Sequence, residues 1–422
     1  MIKKPRLFYG WWIVLVMFLS AAFGGATIWY GFTALFDPLI AEFAWSYTAI
    51  SVAASLRGAE FGLMDVVIGF LVDRISSRRI VFFGSILIGI GWLLLSLINS
   101  LTTFYIAFFI ISAGATGISS VVFFATIARW FRKHLGLALG LASAGFGAGG
   151  FAVPFVVYLL DLVGFRMTAV IYGILAFIVG GLTTYVMRNR PEDVGLSPDG
   201  VVLSEENNTS EYTKNQKAEL SVPSQDYSFK EAISKPTFWI ITYISFVNSF
   251  CIIMVATHVM PYLEHIGYSR YVASIVAMMI PVTSIGGRLG VGWLSDFTDR
   301  KLIMLLTTVG ALIGLVLFLY ANLSFLLIAF VLLFGISYGG INVIRAAILG
   351  DYYGRRNVGS LIGLCLGIAA LGGIGGPLLA GRIFDTTNSY TLAWLIIIGL
   401  LLVGVPLLLT IKRPPPVTQS SG

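Results

Sequence analysis

Hydrophobic and polar positions in this chain alternate on the scale of whole segments. Long apolar runs recur from end to end, separated by short polar breaks. A stretch of about 18 to 20 apolar residues crosses a hydrocarbon core of roughly 30 Å as a helix, which satisfies its own backbone polar groups. A large soluble core would show amphipathic helices with one wet face each. The pattern predicts spans near 8–35, 47–71, 80–99, 103–128, 134–160, 167–187, 237–260, 271–294, 302–321, 324–349, 358–381 and 390–411. The chain is therefore expected to be an all-α membrane protein with twelve transmembrane helices. Lys3, Lys4 and Arg6 precede the first run as they would in a signal peptide. That run is too long for one and has no clear small-residue cleavage site, so it is expected to remain as the first helix.

Charge sharpens the topology. Residues are 57% hydrophobic and only 11% charged, against about 25% charged in soluble domains. With the N-terminus inside, 21 of the 27 lysines and arginines fall in inner segments, and only Arg166, Arg270 and Arg382 fall outside. Basic residues stay on the cytoplasmic side, so a multi-pass protein of the cell (inner) membrane is expected, with both termini cytoplasmic. The same bias accounts for the net charge of +7, and no nucleic-acid partner is called for. Cys251 and Cys365 both lie in spans, and three histidines give no metal-ligand spacing. No nucleophile elbow, phosphate loop or haem motif occurs, so neither an enzyme nor a cofactor or metal is expected.

A constant shift of 223 residues superimposes the chain on itself. Phe36-Asp37-Pro38 falls on Val259-Met260-Pro261, Gly69 to Asp73 on Gly292 to Asp296, and Gly149, Gly150 and Pro154 on Gly372, Gly373 and Pro377. Three coincidences at one offset mark an internal repeat. The expected organisation is an N-terminal six-helix half over 1–190, a cytoplasmic linker over 191–235 and a C-terminal half over 236–422. The linker is rich in Ser, Glu, Asn and Lys and has too few apolar residues for a core.

The stretch Gly69-Phe70-Leu71-Val72-Asp73-Arg74-Ile75-Ser76-Ser77-Arg78-Arg79 resembles the signature between the second and third helices of the major facilitator superfamily. Asp296, Asp299, Arg300 and Lys301 form its second copy. The resemblance implies the major facilitator fold, two six-helix halves around a central cavity, with Asp73, Arg74, Asp296 and Arg300 in gating. Tyr9-Gly10-Trp11-Trp12, Trp130 to Gly145 and Arg190 to Gly200 are similar to the monocarboxylate carriers and their bacterial relatives, which include oxalate:formate exchangers. The glycines within these stretches also suit close helix packing in any membrane bundle.

Charges inside a membrane are costly, so each is a functional candidate. Five occur: Arg57, Glu60, Asp65, Arg288 and Arg345. Arg288 lies eight residues before Asp296, roughly 12 Å inside the membrane, with Gly286, Gly287 and Gly290 leaving space around it. Its guanidinium matches a carboxylate bidentately. Its position resembles that of the eighth-helix arginine that holds the substrate in monocarboxylate carriers. The competing expectation is an ion pair with Asp65 or Glu60. Arg57 and Glu60, three apart on one helix face, are expected to pair with each other. Glu60 and Asp65 are nonetheless the deepest acids and the candidates for carrying a proton. Arg345 is expected to snorkel inward and support the gate. Polar groups that could complete the substrate site are Tyr338, Asn342, Tyr30, Thr116, Ser119, Asn248 and Cys251, though interhelical hydrogen bonding is the commoner use of such residues. His258 is expected to meet the membrane interface.

Two departures from the family bear on coupling. Animal monocarboxylate carriers have a lysine in the first helix and an aspartate four residues before the arginine, where this chain has Trp29-Tyr30 and Ser284. The oxalate exchanger has a second cation in helix eleven, and residues 358–381 contain none. One buried cation near the cavity suits a monoanion. The expected function is secondary active transport of a small monocarboxylate (lactate- or pyruvate-like) with a proton, by alternating access, in a monomer. The alternatives are an anion exchanger of the oxalate:formate type and a non-transporting membrane sensor.

Overall fold

The computed structural model describes residues 8–29, 31–45, 47–200 and 227–414. Among these, the secondary structure is helical almost throughout. The spanning helices are α1 (Tyr9–Gly24), α2 (Tyr47–Arg74), α3 (Ser77–Ser96), α4 (Leu101–Thr116, resumed as Ser120–Trp130), α5 (Leu135–Phe151, prolonged over 153–163) and α6 (165–186). After the linker come α7 (Pro236–His265), α8 (Arg270–Leu294), α9 (Arg300–Leu319), α10 (Ser324–Tyr353), α11 (Val358–Thr387) and α12 (Thr391–Thr410). Ten helices are long and apolar enough to cross a membrane by themselves. The other two, among the described residues, are the charge-bearing α2 and the shorter apolar α5. Gly164 divides α5 from α6 at φ 74°, a left-handed backbone that only glycine adopts freely.

The end of α1 departs from regular helix in a π-helical turn, Gly25–Trp29. Such a turn widens the hydrogen-bond ladder and offers carbonyls to other donors. Arg57 of α2 donates to the Ile28 carbonyl there.

The described ends of the chain gather at one face. Tyr9 Oη donates to the Val186 carbonyl (2.6 Å), and Lys301 Nζ to the carbonyls of Leu409 (2.8 Å) and Ile411 (2.7 Å). The loops at this face carry most of the arginines and lysines, and we call it the basic face; the opposite one is the far face. Glycines let the first six helices approach the last six between mid-bundle and the basic face. A Cβ on Gly69 of α2 would lie 2.6 Å from the Gly359 carbonyl oxygen and 2.9 Å from the Gly363 Cα of α11. One on Gly292 of α8 would lie 2.5 Å from the Gly136 carbonyl oxygen of α5. Two helices can pack this closely only where neither carries a side chain at the contact.

Both described ends of the linker are pinned. Asp199 Oδ2 accepts the backbone N–H of Arg132 and of Lys133, each at 3.0 Å. Tyr227 N–H donates to the Tyr353 carbonyl (3.1 Å), and Asn357 Nδ2 donates to the Tyr227 carbonyl (2.9 Å). These anchor points lie on the α4–α5 and α10–α11 loops, which occupy equivalent positions in the repeat.

Candidate substrate site and gate

Arg288 is buried, with 5% of its surface exposed. One turn earlier on α8, Ser284 accepts a hydrogen bond from Nη1 (2.8 Å) and donates its own proton to the Pro281 carbonyl (2.7 Å). The guanidinium carbon lies 5.2 Å from the ring centre of Tyr338 on α10, a cation–π distance. The room for this comes from neighbouring helices. A Cβ on Gly147 of α5 would sit 3.3 Å from Nη1, and Cβ atoms on Gly140 of α5 or Gly339 of α10 would strike the Arg288 backbone. Gly286 and Gly290 face open space instead. Arg288 has no ion-pair partner among the described residues, so the pair with Asp65 or Glu60 is not formed. A buried cation without a counter-ion is costly, and a bound anion relieves it.

The stripe on α10 holds together. Asn342 Nδ2 donates to the Tyr338 carbonyl (2.8 Å), and its Oδ1 accepts from Arg345 Nη2 (3.0 Å). Arg345 does not snorkel: it is 6% exposed. Its helix runs on to Tyr353, about 12 Å further, and helical side chains lean toward the N-terminus, here away from the basic face. It forms no ion pair within 4.0 Å among the described residues. Asp65 Oδ1 is buried without a hydrogen-bond partner.

The expected pair of Arg57 with Glu60 is absent. Arg57 instead spends its guanidinium on the Ile28 carbonyl and lies over the rings of Trp29 (4.7 Å) and Phe32 (5.4 Å). The π-helical turn makes that carbonyl available. Glu60, 6% exposed, keeps both carboxylate oxygens buried with no hydrogen-bond partner.

The remaining candidates are less committed to the site. Thr116 Oγ1 donates to the Ala113 carbonyl (2.7 Å), just before α4 breaks, and Ser119 Oγ caps the resumed helix at Val121 N–H (3.3 Å). Asn248 Nδ2 donates to the Ile244 carbonyl within α7 (2.9 Å), and Cys251 is fully buried in the core. Tyr30 lies outside the described residues. The ring nitrogens of His258 contact Tyr390 Oη (3.3 Å) and the Pro377 carbonyl oxygen (3.1 Å). A surface cleft of about 600 Å³ beside Trp239, Tyr243 and Leu407 contains none of these charged groups.

At the basic face two aspartates clasp helix N-termini across the bundle. Asp73, at the end of α2, accepts from Gly359 N–H (3.1 Å), Ser360 N–H (2.6 Å) and Ser360 Oγ (2.7 Å) at the start of α11. Asp296, just past α8, accepts from Gly136 N–H (2.6 Å) and Leu137 N–H (2.9 Å) at the start of α5. Unpaired N–H groups and the helix dipole favour an anion at both places. Burial pushes the Asp296 carboxyl above its ordinary range, against the pull of the two amides. Arg129 of α4 pairs with Asp73 (2.8 Å) and also donates to the Val72 carbonyl (3.0 Å) and to Asn189 Oδ1 (3.1 Å). Arg300 instead reaches Asp351 (3.7 Å), and Arg74 is exposed without a partner among the described residues.

A family model described as Major Facilitator Superfamily matches residues 14–324 and 283–422. The chain belongs to that superfamily. Monocarboxylate transporter 13 of Rattus norvegicus is 24% identical over 421 residues, covering 97% of this chain and 91% of the relative. The oxalate:formate antiporter of Oxalobacter formigenes is 24% identical over 367 residues, covering 84% and 80%. The solved proton:xylose symporter XylE superposes with a TM-score of 0.75 at 13% identity, covering 96% of each chain.

In this facilitator the sequence did not reveal Arg129, which reads as one more inner-face cation. Nor did it reveal the wall glycines of Arg288. One signal was available for Arg129. It stands at the membrane end of α4, where an arginine that is to be buried needs an acid, and Asp73 ends the neighbouring α2.

Proposed function

We propose that this facilitator is a secondary active transporter of a small monocarboxylate, lactate- or pyruvate-like, working by alternating access as a monomer in the cell (inner) membrane. The basic face is then cytoplasmic, with both termini there, as the positive-inside rule asks. The two aspartate clasps close that face, so this state loads from the far side. The observation that carries the reading is Arg288, buried and without an anionic partner, set against Tyr338. A carboxylate on its open edge supplies the missing charge. The monocarboxylate transporters among its relatives support this substrate class. A proton moves with the anion, since carrying a charge with its neutraliser lowers the membrane cost. Glu60 is the acid we assign to take it, because both its carboxylate oxygens are buried without a hydrogen-bond partner.

Uptake of radiolabelled lactate into proteoliposomes tests the assignment. An inward proton gradient should accelerate it. Arg288→Ala should weaken uptake by about 100-fold, the loss of roughly 3 kcal/mol of charge-assisted hydrogen bonding. Undiminished uptake by that variant would sink the carboxylate reading. A second reading, anion exchange, is favoured by Ser284, which gives Arg288 no resident acid. Acceleration by preloaded anion without any pH effect would select it.

A further inference from the structure

The surface cleft beside Trp239 lies where α7 begins and α12 ends. Pro236, Trp239, Ile240 and Tyr243 of α7 and Leu407 of α12 line it, and it holds about 600 Å³. From Pro236 to Tyr243 it runs about 10 Å along α7 from the basic face, a depth that takes in the headgroup zone of a bilayer and the first part of its hydrocarbon. Its rim is tied. Tyr243 Oη donates to the Leu400 carbonyl of α12 (3.0 Å), and Thr237 Oγ1 donates to the Lys412 carbonyl (3.2 Å). Trp239 Nε1 donates to the Ile233 carbonyl (2.7 Å) at the end of the short helix Phe229–Ile233, and the indole remains 49% exposed. Two lysines flank the basic end of the cleft. Lys235 immediately precedes Pro236, and Lys412 lies beside Thr237 through its own carbonyl. Neither has an ion-pair partner within 4.0 Å among the described residues. Acids of the adjoining segments are engaged: Glu231 accepts the Ser228 N–H (2.8 Å), and Asp351 takes Arg413 (3.1 Å) and Arg300 (3.7 Å). The first half has no counterpart. At the equivalent places, 223 residues earlier, Val16, Met17 and Ser20 are buried, and Trp12 and Asn189 stand where the second half has the two lysines.

We propose that this cleft binds one anionic glycerophospholipid, with an acyl chain along Trp239, Ile240 and Leu407 and its phosphate between Lys235 and Lys412. The inference does not use the reading of Arg288. Every outer face of a membrane protein is wetted by lipid; what this site adds is a preference. An apolar trough at this depth is filled by a chain rather than by water, which finds few polar partners there. Two ammonium groups without a counter-ion at headgroup level attract an anion, and basic sites between helices at this level suit anionic headgroups. A free anion would answer the lysines and leave the trough empty. A zwitterionic lipid would fill the trough while its own cation opposes the lysines. An anionic lipid answers both.

Quenching of Trp239 by brominated lipid tests this on the full chain in phosphatidylcholine vesicles. The chain has nine tryptophans, so the Trp239 signal is the difference between wild type and Trp239→Phe. Phosphatidylglycerol brominated on its acyl chains should half-quench that signal at a mole fraction about tenfold lower than equally brominated phosphatidylcholine, the two lysines supplying the difference. Lys235→Gln combined with Lys412→Gln should bring the two lipids together. Arg78→Gln combined with Arg79→Gln, an equal loss of charge at the start of α3, should leave the preference standing. None of these four side chains is buried, so the variants should fold. Equal quenching by both lipids in the wild type overturns the proposal, and so does quenching by neither. A preference that survives the lysine changes, or that the arginine changes also remove, overturns it as well, since the charge of the whole face would then be enough. Inorganic phosphate should not relieve the quenching; relief would mean a free anion occupies the lysines and would overturn the lipid assignment.

Discussion

Asp73 and Asp296 hold the same place in two copies of one pattern and grip the same feature, the first turn of a helix in the opposite set of six. They do not grip it equally. Asp73 is 5% exposed in its side chain, accepts three hydrogen bonds from α11 and is paired with Arg129. Asp296 accepts two from α5, and the arginine of its own signature copy, Arg300, turns away to Asp351. A repeated sequence thus yields two clasps of unequal strength, because the partner of each acid comes from elsewhere in the chain. Position 360 is a serine whose hydroxyl adds a bond, and the equivalent position 137 is a leucine that cannot.

The inequality can be broken in order of size. Asp73→Ala should favour opening of the basic face most, by about 3 to 5 kcal/mol, because it strands the buried Arg129. The readout is the spin-label distance between Arg78 and Phe297, which should lengthen. Asp296→Ala should lengthen it less, at about 1.5 to 3 kcal/mol for lost charge-assisted bonds. Equal shifts would contradict the ranking. Acidification is a gentler probe. Because the Asp296 carboxyl lies above its ordinary range, its negative charge is lost at a higher pH than that of a free aspartate. By linkage the proton binds more readily to the buried, clasped carboxyl than to a solvated one, so acidification of the basic face should favour the closed α5–α8 contact, and Asp296→Ala should remove the dependence. Arg74→Ala should change the distance least, within about 0.5 kcal/mol, as expected of an exposed side chain.

Much of this architecture was legible in the chain. Twelve apolar runs, the offset of 223 and the clustering of basic residues depend only on length, composition and self-similarity, and helices in lipid have little freedom to depart from them. The two clasp aspartates were legible for the same reason. Which acid faces which arginine was not. Arg57 and Glu60 have ideal spacing for a pair on a helix, but the π-helical turn at Gly25–Trp29 offers a carbonyl that no local rule foresees. Arg345 reads as a snorkelling residue until α10 is seen to run on to Tyr353. The open space around Arg288 was ascribed to its own glycines, whereas Gly140, Gly147 and Gly339 supply its walls, and only packing brings them there.

Two of those wall glycines belong to α5, the helix whose first turn Asp296 grips, and Arg288 rides on α8 eight residues before that same aspartate. One helix pair therefore carries the clasp at its end and the arginine two turns up. When α5 parts from α8, the clasp opens and the guanidinium loses a wall in the same movement. On the proposed carboxylate reading, unlatching and unloading are not successive steps needing a relay between them; they share one clock.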